Sequence, residues 1–463
     1  MKIKLNLSIL VVVTALTAHT IGLAQSGGKV IDERNVRAHM EFLASDAMQG
    51  RGSGSAFEHI AARYVGSQFM QFGLEPAGEK GWDGKPGYVQ TVTISRNTFE
   101  GNPKLTFGLG MIEHGKEMLV LRATGGTVGG KLQKLNLGDK PEPGAVAFVK
   151  LPADAPANPM QGLQAMITAG AAMVIIEETP QYRNNWAAAA GRRITLPSTQ
   201  GNPSAVVVVS KAAAAIISKE TNGTRFDLSG KVTVQNQYTW NAIGRLTGSD
   251  KTQAAEVIVL SSHLDHIGIR ENAPGPDKIA NGADDDASGT VAVMELARLL
   301  ASGKRPKRTI YFVAFGSEES GGLGSRNFAE NLPFPKDKFV ANLQFEMIGR
   351  PDAKVKPEEL WLTGYERSNL GPELAKRGAK LVQDPHPDQN FFQRSDNYTL
   401  ARQGIIAHTV SSFGLHKDYH QVSDEVQTID FVHMTRSINS MLKPIVWLAN
   451  STFVPVWNEG KKP

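Results

Sequence analysis

The stretch Glu256-Val257-Ile258-Val259-Leu260-Ser261-Ser262-His263-Leu264-Asp265-His266 runs from an unbroken apolar segment straight into a group of ionisable side chains. A short apolar run with β-branched residues reads as a strand buried in a sheet, and the polar cluster is the loop that leaves it. Working outward, residues 242–246 form a strand pattern before it. After it come a helix pattern at 289–300, a very apolar strand at 308–315, and further strands at 341–347 and 405–410. A long amphipathic helix closes the series, with Phe431, Met434, Ile438, Leu442, Ile445 and Leu448 on one face. Strands alternating with helices predict an α/β fold with a mixed, mostly parallel central sheet flanked by helices.

Upstream the texture differs. Residues 36–43 and 58–72 carry apolar side chains at helical spacing, and 88–94 alternate as a strand does. The glycine-rich run Met48-Gln49-Gly50-Arg51-Gly52-Ser53-Gly54-Ser55 between the helices lacks the lysine and spacing of a phosphate loop, so it reads as a turn. From about 117 to 234, short β-like runs (118–122, 145–149, 173–176, 205–209) alternate with Gly- and Pro-rich turns, with a helix near 163–170. That segment reads as a β-rich insertion. The boundaries drawn from texture are 1–24, 25–114, 115–235, 236–455 and a tail at 456–463.

Residues 1–24 have the form of a secretory signal. Lys2 and Lys4 precede an apolar run, and Gly22-Leu23-Ala24 supplies small residues for cleavage. Asn6, Ser8, Thr14 and His19 interrupt the run, which therefore falls short of the roughly 20 apolar residues of a membrane span. The expectation is an exported protein, periplasmic or extracellular, with no stable membrane anchor. The 463 residues contain no cysteine, which excludes disulfides, thiolate ligands, a cysteine nucleophile and lipidation at the cleavage site. The net charge of +5 is small for this length, and Lys304-Arg305-Pro306-Lys307-Arg308 is the only dense basic run. Nucleic acid is not an expected partner.

Five loops at the ends of the strand patterns carry the chemistry, where active sites of open α/β sheets form. The first holds His263 with Asp265 two residues on, placed to serve the imidazole's second nitrogen. The second is Asn281-Gly282-Ala283-Asp284-Asp285-Asp286-Ala287-Ser288-Gly289, whose three adjoining carboxylates repel one another unless a cation joins them. The third is Gly316-Ser317-Glu318-Glu319-Ser320, in which neighbouring acids at a strand end point different ways. One can then bind a metal while the other acts as a base. Glu346 ends the fourth strand, and Tyr419-His420 lie in the loop before the last helix. These nitrogen and oxygen donors without sulfur suit zinc, with cobalt or manganese as alternatives.

The motifs HLDH, GADDDASG, SEESGGLGS and YHQVSDE, in this order and spacing, resemble those of the bacterial double-zinc aminopeptidases and the related glutamate carboxypeptidases. The resemblance covers roughly residues 240–448 and implies the zinc-exopeptidase fold with two zinc ions. It makes His263, Asp285, Glu319, Glu346 and His420 the metal ligands, with Asp285 bridging. Asp265 becomes the orienter of His263, Glu318 the general base, and Tyr419 the group that polarises the scissile carbonyl. Glu346 stands where the family usually has Asp, and Asn397 follows Asp396 where a His is common. His266, His386, His408 and His416 match no ligand position. The segment 115–235 is similar to a protease-associated domain, mainly over 165–176, which in relatives shapes access to the cleft. The implied activity is hydrolysis of peptides from one end, most naturally the N-terminal end. A carboxypeptidase of the glutamate carboxypeptidase type and a receptor-like binding protein that has lost catalysis are the alternatives.

Overall fold

The computed structural model describes residues 30–463 apart from 82, 153–158, 192–193 and 197–201. The signal-peptide reading of 1–24 lies outside the described residues. Among those described, no helix is long and apolar enough to cross a membrane. The chain divides into two compact units, one of residues up to Val92 together with Thr239–Pro463, the other Thr93–Tyr238.

In the first unit, helices α1 (Glu33–Leu43) and α2 (Ala56–Gln71) precede the excursion into the second. Asp32 and Ser55 cap them, each accepting backbone N–H groups of the first turn. The chain returns along β1 (Val232–Leu246) and continues through β2 (Val257–His263), α3 (Gly289–Ser302), β3 (Thr309–Phe315) and α4 (Leu323–Glu330). It then forms β4 (Phe339–Phe345), β5 (Leu360–Leu362), β6 (Leu381–Gln383), α5 (Asp396–Ala401), β7 (Ala407–Ser411) and α6 (Phe431–Asn450). The sheet order is β6-β5-β7-β4-β2-β3-β1. Strand β2 is parallel to both β3 and β4, and β4 is parallel to β7, so this centre has one common C-terminal edge. β1 pairs antiparallel with β3, and β5 antiparallel with β7.

Both faces of the central strands are buried, as their uninterrupted apolar character requires. Ile258, Leu260, Ile310 and Phe312 pack on one side with Val36 and Met40 of α1, Val65 and Phe69 of α2, Val291 and Met294 of α3, and Ile438 and Ile445 of α6. Their strand neighbours Val257, Val259, Tyr311 and Val313 pack on the other with Phe328 of α4 and Leu400 of α5. A single-residue slip of either strand would exchange these two sets, so the register is fixed on both sides.

The second unit is built on a sheet of its own. Its order is Gly110–Glu113, Lys104–Phe107, Arg225–Ser229, Thr127–Asn136, Val146–Lys150, Met173–Glu177, Ala205–Val209 and Met118–Ala123. Helices Met160–Thr168 and Lys211–Ile217 accompany it. Its apolar side chains form separate clusters, one around Val146, Ile175, Val207 and Phe226, another around Leu163, Val174 and Val208.

Candidate metal centre

The predicted site residues of the first four loops all leave the common C-terminal edge. His263 is the last residue of β2, and its backbone N–H donates to Asp286 Oδ2 at 3.1 Å. The acid triplet is divided by function. Asp284 accepts from Gly349 N at 2.7 Å and lies 3.0 Å from His416 Nε2. Asp286 accepts from the backbone of His263, Gly289 and Met347. These two carboxylates hold loops, which leaves Asp285 to face the imidazoles. Its Oδ1 is 3.2 Å from His263 Nε2, and its Oδ2 is 3.1 Å from His420 Nε2.

The loop after β3 turns at Ser317, whose φ of 53° is left-handed. Buried Glu58 from α2 secures that turn, since its Oε1 accepts from Ser317 N at 2.7 Å and from the Thr239 hydroxyl at 2.7 Å. Burial pushes the Glu58 carboxyl up to about 8. Glu319 Oε1 then lies 3.1 Å from His420 Nε2 and 3.0 Å from His266 Nδ1. Glu346, one methylene longer than Asp, accepts through Oε2 from Gln344 Nε2 at 3.0 Å. His420 adopts a φ of 56°, Arg270 donates to its carbonyl, and the Tyr419 ring stacks on its imidazole at 4.0 Å.

Two donor sets result. His263, Asp285 and Glu346 offer one set of mutually close atoms; His266, Asp285, Glu319 and His420 offer the other, all within 4.8 Å of one another. Asp285 belongs to both. His263 Nε2, His266 Nε2 and Asp285 Oδ2 are buried without a hydrogen-bond partner among the described residues. Buried polar atoms without partners are costly, and a divalent cation between these nitrogens and carboxylates would engage the first and the last. The donor chemistry therefore fits zinc. Burial opposes the charge of Asp285, yet the imidazoles of His263 and His420 beside it hold its carboxyl well below the usual carboxylate range. Burial pushes Glu318 well above that range, and Asp396, Glu346 and Glu319 reinforce the effect against the opposing charge of His263.

Glu318 belongs to neither donor set. It lines a cavity of about 650 Å³ with Glu319, Arg326, Arg394, Asp396, Arg402 and Tyr419. A second, much smaller recess lies between Glu346, Met347, Trp361, Phe391, Phe413 and Tyr419. The geometry around Asp265 differs from the expectation of a carboxylate aimed at His263. Its carboxylate accepts from Glu318 N at 2.9 Å, Glu319 N at 3.3 Å and the Ser53 hydroxyl at 2.5 Å. His263 Nδ1 is nearer to the Asp265 carbonyl, at 3.3 Å, than to its Oδ1, at 3.7 Å. Two backbone N–H groups presented by a tight turn compete for the carboxylate, and they win.

Residues 241–443 match the sequence pattern of peptidase family M28. The matched stretch lies wholly within the first unit. The matched residues include β2 to β7 and the loops that carry both donor sets. An aminopeptidase from Aneurinibacillus sp. strain AM-1 has a similar fold, with a TM-score of 0.50 at 20% identity, over 91% of this chain and 95% of that one. A curated "Leucine aminopeptidase 2" from Arthroderma otae is 34% identical over 39% of this chain and 36% of its own length. A "Probable zinc metalloprotease" from Pyrenophora teres f. teres is 27% identical over 38% of this chain and 42% of its own. The chain thus spans about two fifths of the length of these two curated relatives.

Several residues around the M28 site have roles that sequence reading did not assign. Arg51 has φ 46° in the glycine-rich turn and is fully buried. Its guanidinium donates to the carbonyls of Leu264 at 2.9 Å, Asn281 at 2.7 Å and Gly282 at 2.9 Å, and also to that of Leu43. It binds the loop of His263 and the loop of Asp285 to the end of α1. Gly50 beside it has φ 65°, and a Cβ there would meet the Ala280 carbonyl at 2.3 Å. Asp424 accepts from the backbone N–H groups of Asp284 and Asp285 and from Arg350. His266, set aside by the sequence reading, stands inside the second donor set. His386 and His408 bond elsewhere, to Asp352 and to Thr363.

Proposed function

We propose that this chain is an exported, two-zinc exopeptidase that releases residues from the N-terminal end of peptides. The observation that carries the reading is the sharing of Asp285 between two donor sets, one oxygen toward His263 and the other toward His420. A short carboxylate so placed suits a pair of ions about 3.5–4 Å apart. His263, Asp285 and Glu346 would hold one zinc; Asp285, Glu319 and His420 would hold the other. When bound, the zinc pair supplies Lewis acidity to the scissile carbonyl and acidifies water at the site.

The remaining steps belong to side chains. Glu318, free of both donor sets and open to the larger cavity, takes the proton of the attacking water and delivers it to the leaving amine. Asp265 fixes the direction of Glu318 through its backbone N–H. Tyr419, which lines both cavities, donates its phenolic proton in a hydrogen bond to the carbonyl oxygen as negative charge develops there. On this reading the segment 115–235, which falls within the unit Thr93–Tyr238, is a protease-associated domain inserted after α2.

The decisive variant is Glu318→Gln. It should bind zinc as the parent does and lose roughly 10²–10⁴-fold in kcat. Near-normal turnover by metal-loaded E318Q, purified free of contaminating peptidases, would remove Glu318 from the mechanism. One observation favours a carboxypeptidase as second reading. Arg326, Arg394 and Arg402 line the larger cavity, and guanidinium groups recognise a terminal carboxylate. Digestion of a mixed peptide library, with products sequenced from both ends, separates the two.

A further inference from the structure

We infer that His266 is itself a donor to the ion shared by Asp285, Glu319 and His420, so that four protein groups enclose that ion. The inference rests on the two-zinc reading above and adds a ligand to it. His266 is fully buried. Its Nδ1 lies 3.0 Å from Glu319 Oε1 and 3.7 Å from Asp285 Oδ2. His420 Nε2 completes the group at 3.1 Å from each of the same two oxygens. Four donors placed tetrahedrally at 2.0–2.1 Å from zinc are separated from one another by roughly 3.3–3.4 Å. The observed separations bracket that figure, as expected of four atoms converging on one point. The two rings meet edge to face at 5.5 Å, so each can direct a nitrogen to that point without stacking on the other.

The seat of the imidazole is built by three parts of the chain. A Cβ on Gly282, where φ is 59°, would lie 2.6 Å from both Cγ and Cδ2 of His266, so the ring occupies the space that a side chain would need. The backbone of His266 is held on both sides, its N–H donating to the Arg51 carbonyl and its own carbonyl accepting from Ser53 N, each at 3.2 Å. The ring therefore has little freedom to leave the donor set.

The consequence is an asymmetric pair. The ion beside His266 has four protein donors, the arrangement of a closed site. The ion beside His263 has three, His263, Asp285 and Glu346, and keeps a position for substrate. The His266 side would then bind its ion more tightly.

The test compares the parent protein with His266→Ala and His266→Asn by competition for zinc with a chromophoric chelator, and by the visible spectrum of the cobalt-substituted forms. The expected result is two sites in the parent, with one of them weakened at least tenfold by H266A while the other is unchanged. The cobalt bands of the weakened site should change in intensity and position as its coordination changes. X-ray absorption of the zinc-loaded parent provides a reading that needs no variant: His263, His266 and His420 give three imidazoles over two ions, against two if His266 is not a ligand. Weakened binding with an unchanged cobalt spectrum and two imidazoles would make His266 a group that positions Glu319, and overturn its role as ligand. Unchanged affinities would overturn it as well. A parent protein that takes up no zinc overturns the two-zinc reading itself, which separates that failure from this one.

Discussion

Replacement of Arg51 tests whether the metal site depends on a residue whose side chain touches none of its donors. The guanidinium donates to four buried carbonyls, those of Leu43, Leu264, Asn281 and Gly282. The Gly282 carbonyl also accepts from Ala287 N, which leaves three acceptors without a partner at about 1–3 kcal/mol each, so Arg51→Met should cost about 3 kcal/mol at the low end of that range. Burial works against the charge of Arg51, while Asp265, Asp286, Asp424 and Asp285 favour it. Losing the cation therefore leaves these carboxylates less compensated, most of all without zinc. Arg51→Lys keeps the charge but has fewer donors and no planar fork, and about 2 kcal/mol should be lost through the contacts it cannot reach. The assay is urea unfolding of zinc-loaded and chelated protein, followed by far-ultraviolet circular dichroism. The expected order of midpoints is parent, R51K, R51M, with a wider spread after chelation. A midpoint for R51M equivalent to within about 0.5 kcal/mol of the parent would refute the reasoning, because it would lie in the range of an ordinary surface substitution.

Asp424 receives the N–H groups of Asp284 and Asp285, so Asp424→Asn should lower zinc affinity about 10–100-fold while leaving the fold intact. Competition with a chelator measures it, and unchanged affinity would detach Asp424 from the site. His408 provides a pH test away from the donors. Burial lowers its imidazole to about 4, and it rests between the Thr363 carbonyl and the Ser368 hydroxyl, each at 2.7 Å. The unfolded chain takes up this proton near pH 6.5 and the folded one only near 4, so stability is full above the higher value and falls as pH drops through that window. The loss approaches about 3 kcal/mol. Unfolding of the parent and of His408→Gln across pH 4–7 should show the steeper decline in the parent.

The central strands were legible because burial on both faces forces long apolar runs, and His263, Glu318 and Glu346 directly abut such runs. The acid triplet could be read as a cation site, but its division of labour could not. Asp284 and Asp286 are set apart from Asp285 in part by backbone groups of Gly349 and Met347, which the chain brings in from more than 60 residues away. Arg51 was hidden for the same reason. Its glycine-rich surroundings read as a turn, and three of its four acceptors lie 213 to 231 residues further on. Strand β5 has only the three residues Leu360–Leu362 and offers too few positions for any periodicity to show. His266 matched no ligand position, and its one signal was to follow an acid in a loop already rich in ligands.

The long reach of Arg51 also bears on how the protein is made. The turn that carries it emerges early, yet the carbonyls it binds emerge only after the whole of Thr93–Tyr238 has been synthesised. His420 follows later still, close to the last helix. Closing such distant segments carries a loop entropy that contacts near the end of the chain must offset. A chain that stops before His420 lacks the nitrogen that lies 3.1 Å from both Asp285 Oδ2 and Glu319 Oε1. On the proposed reading, the second donor set is complete only once the segment just before the last helix has been added.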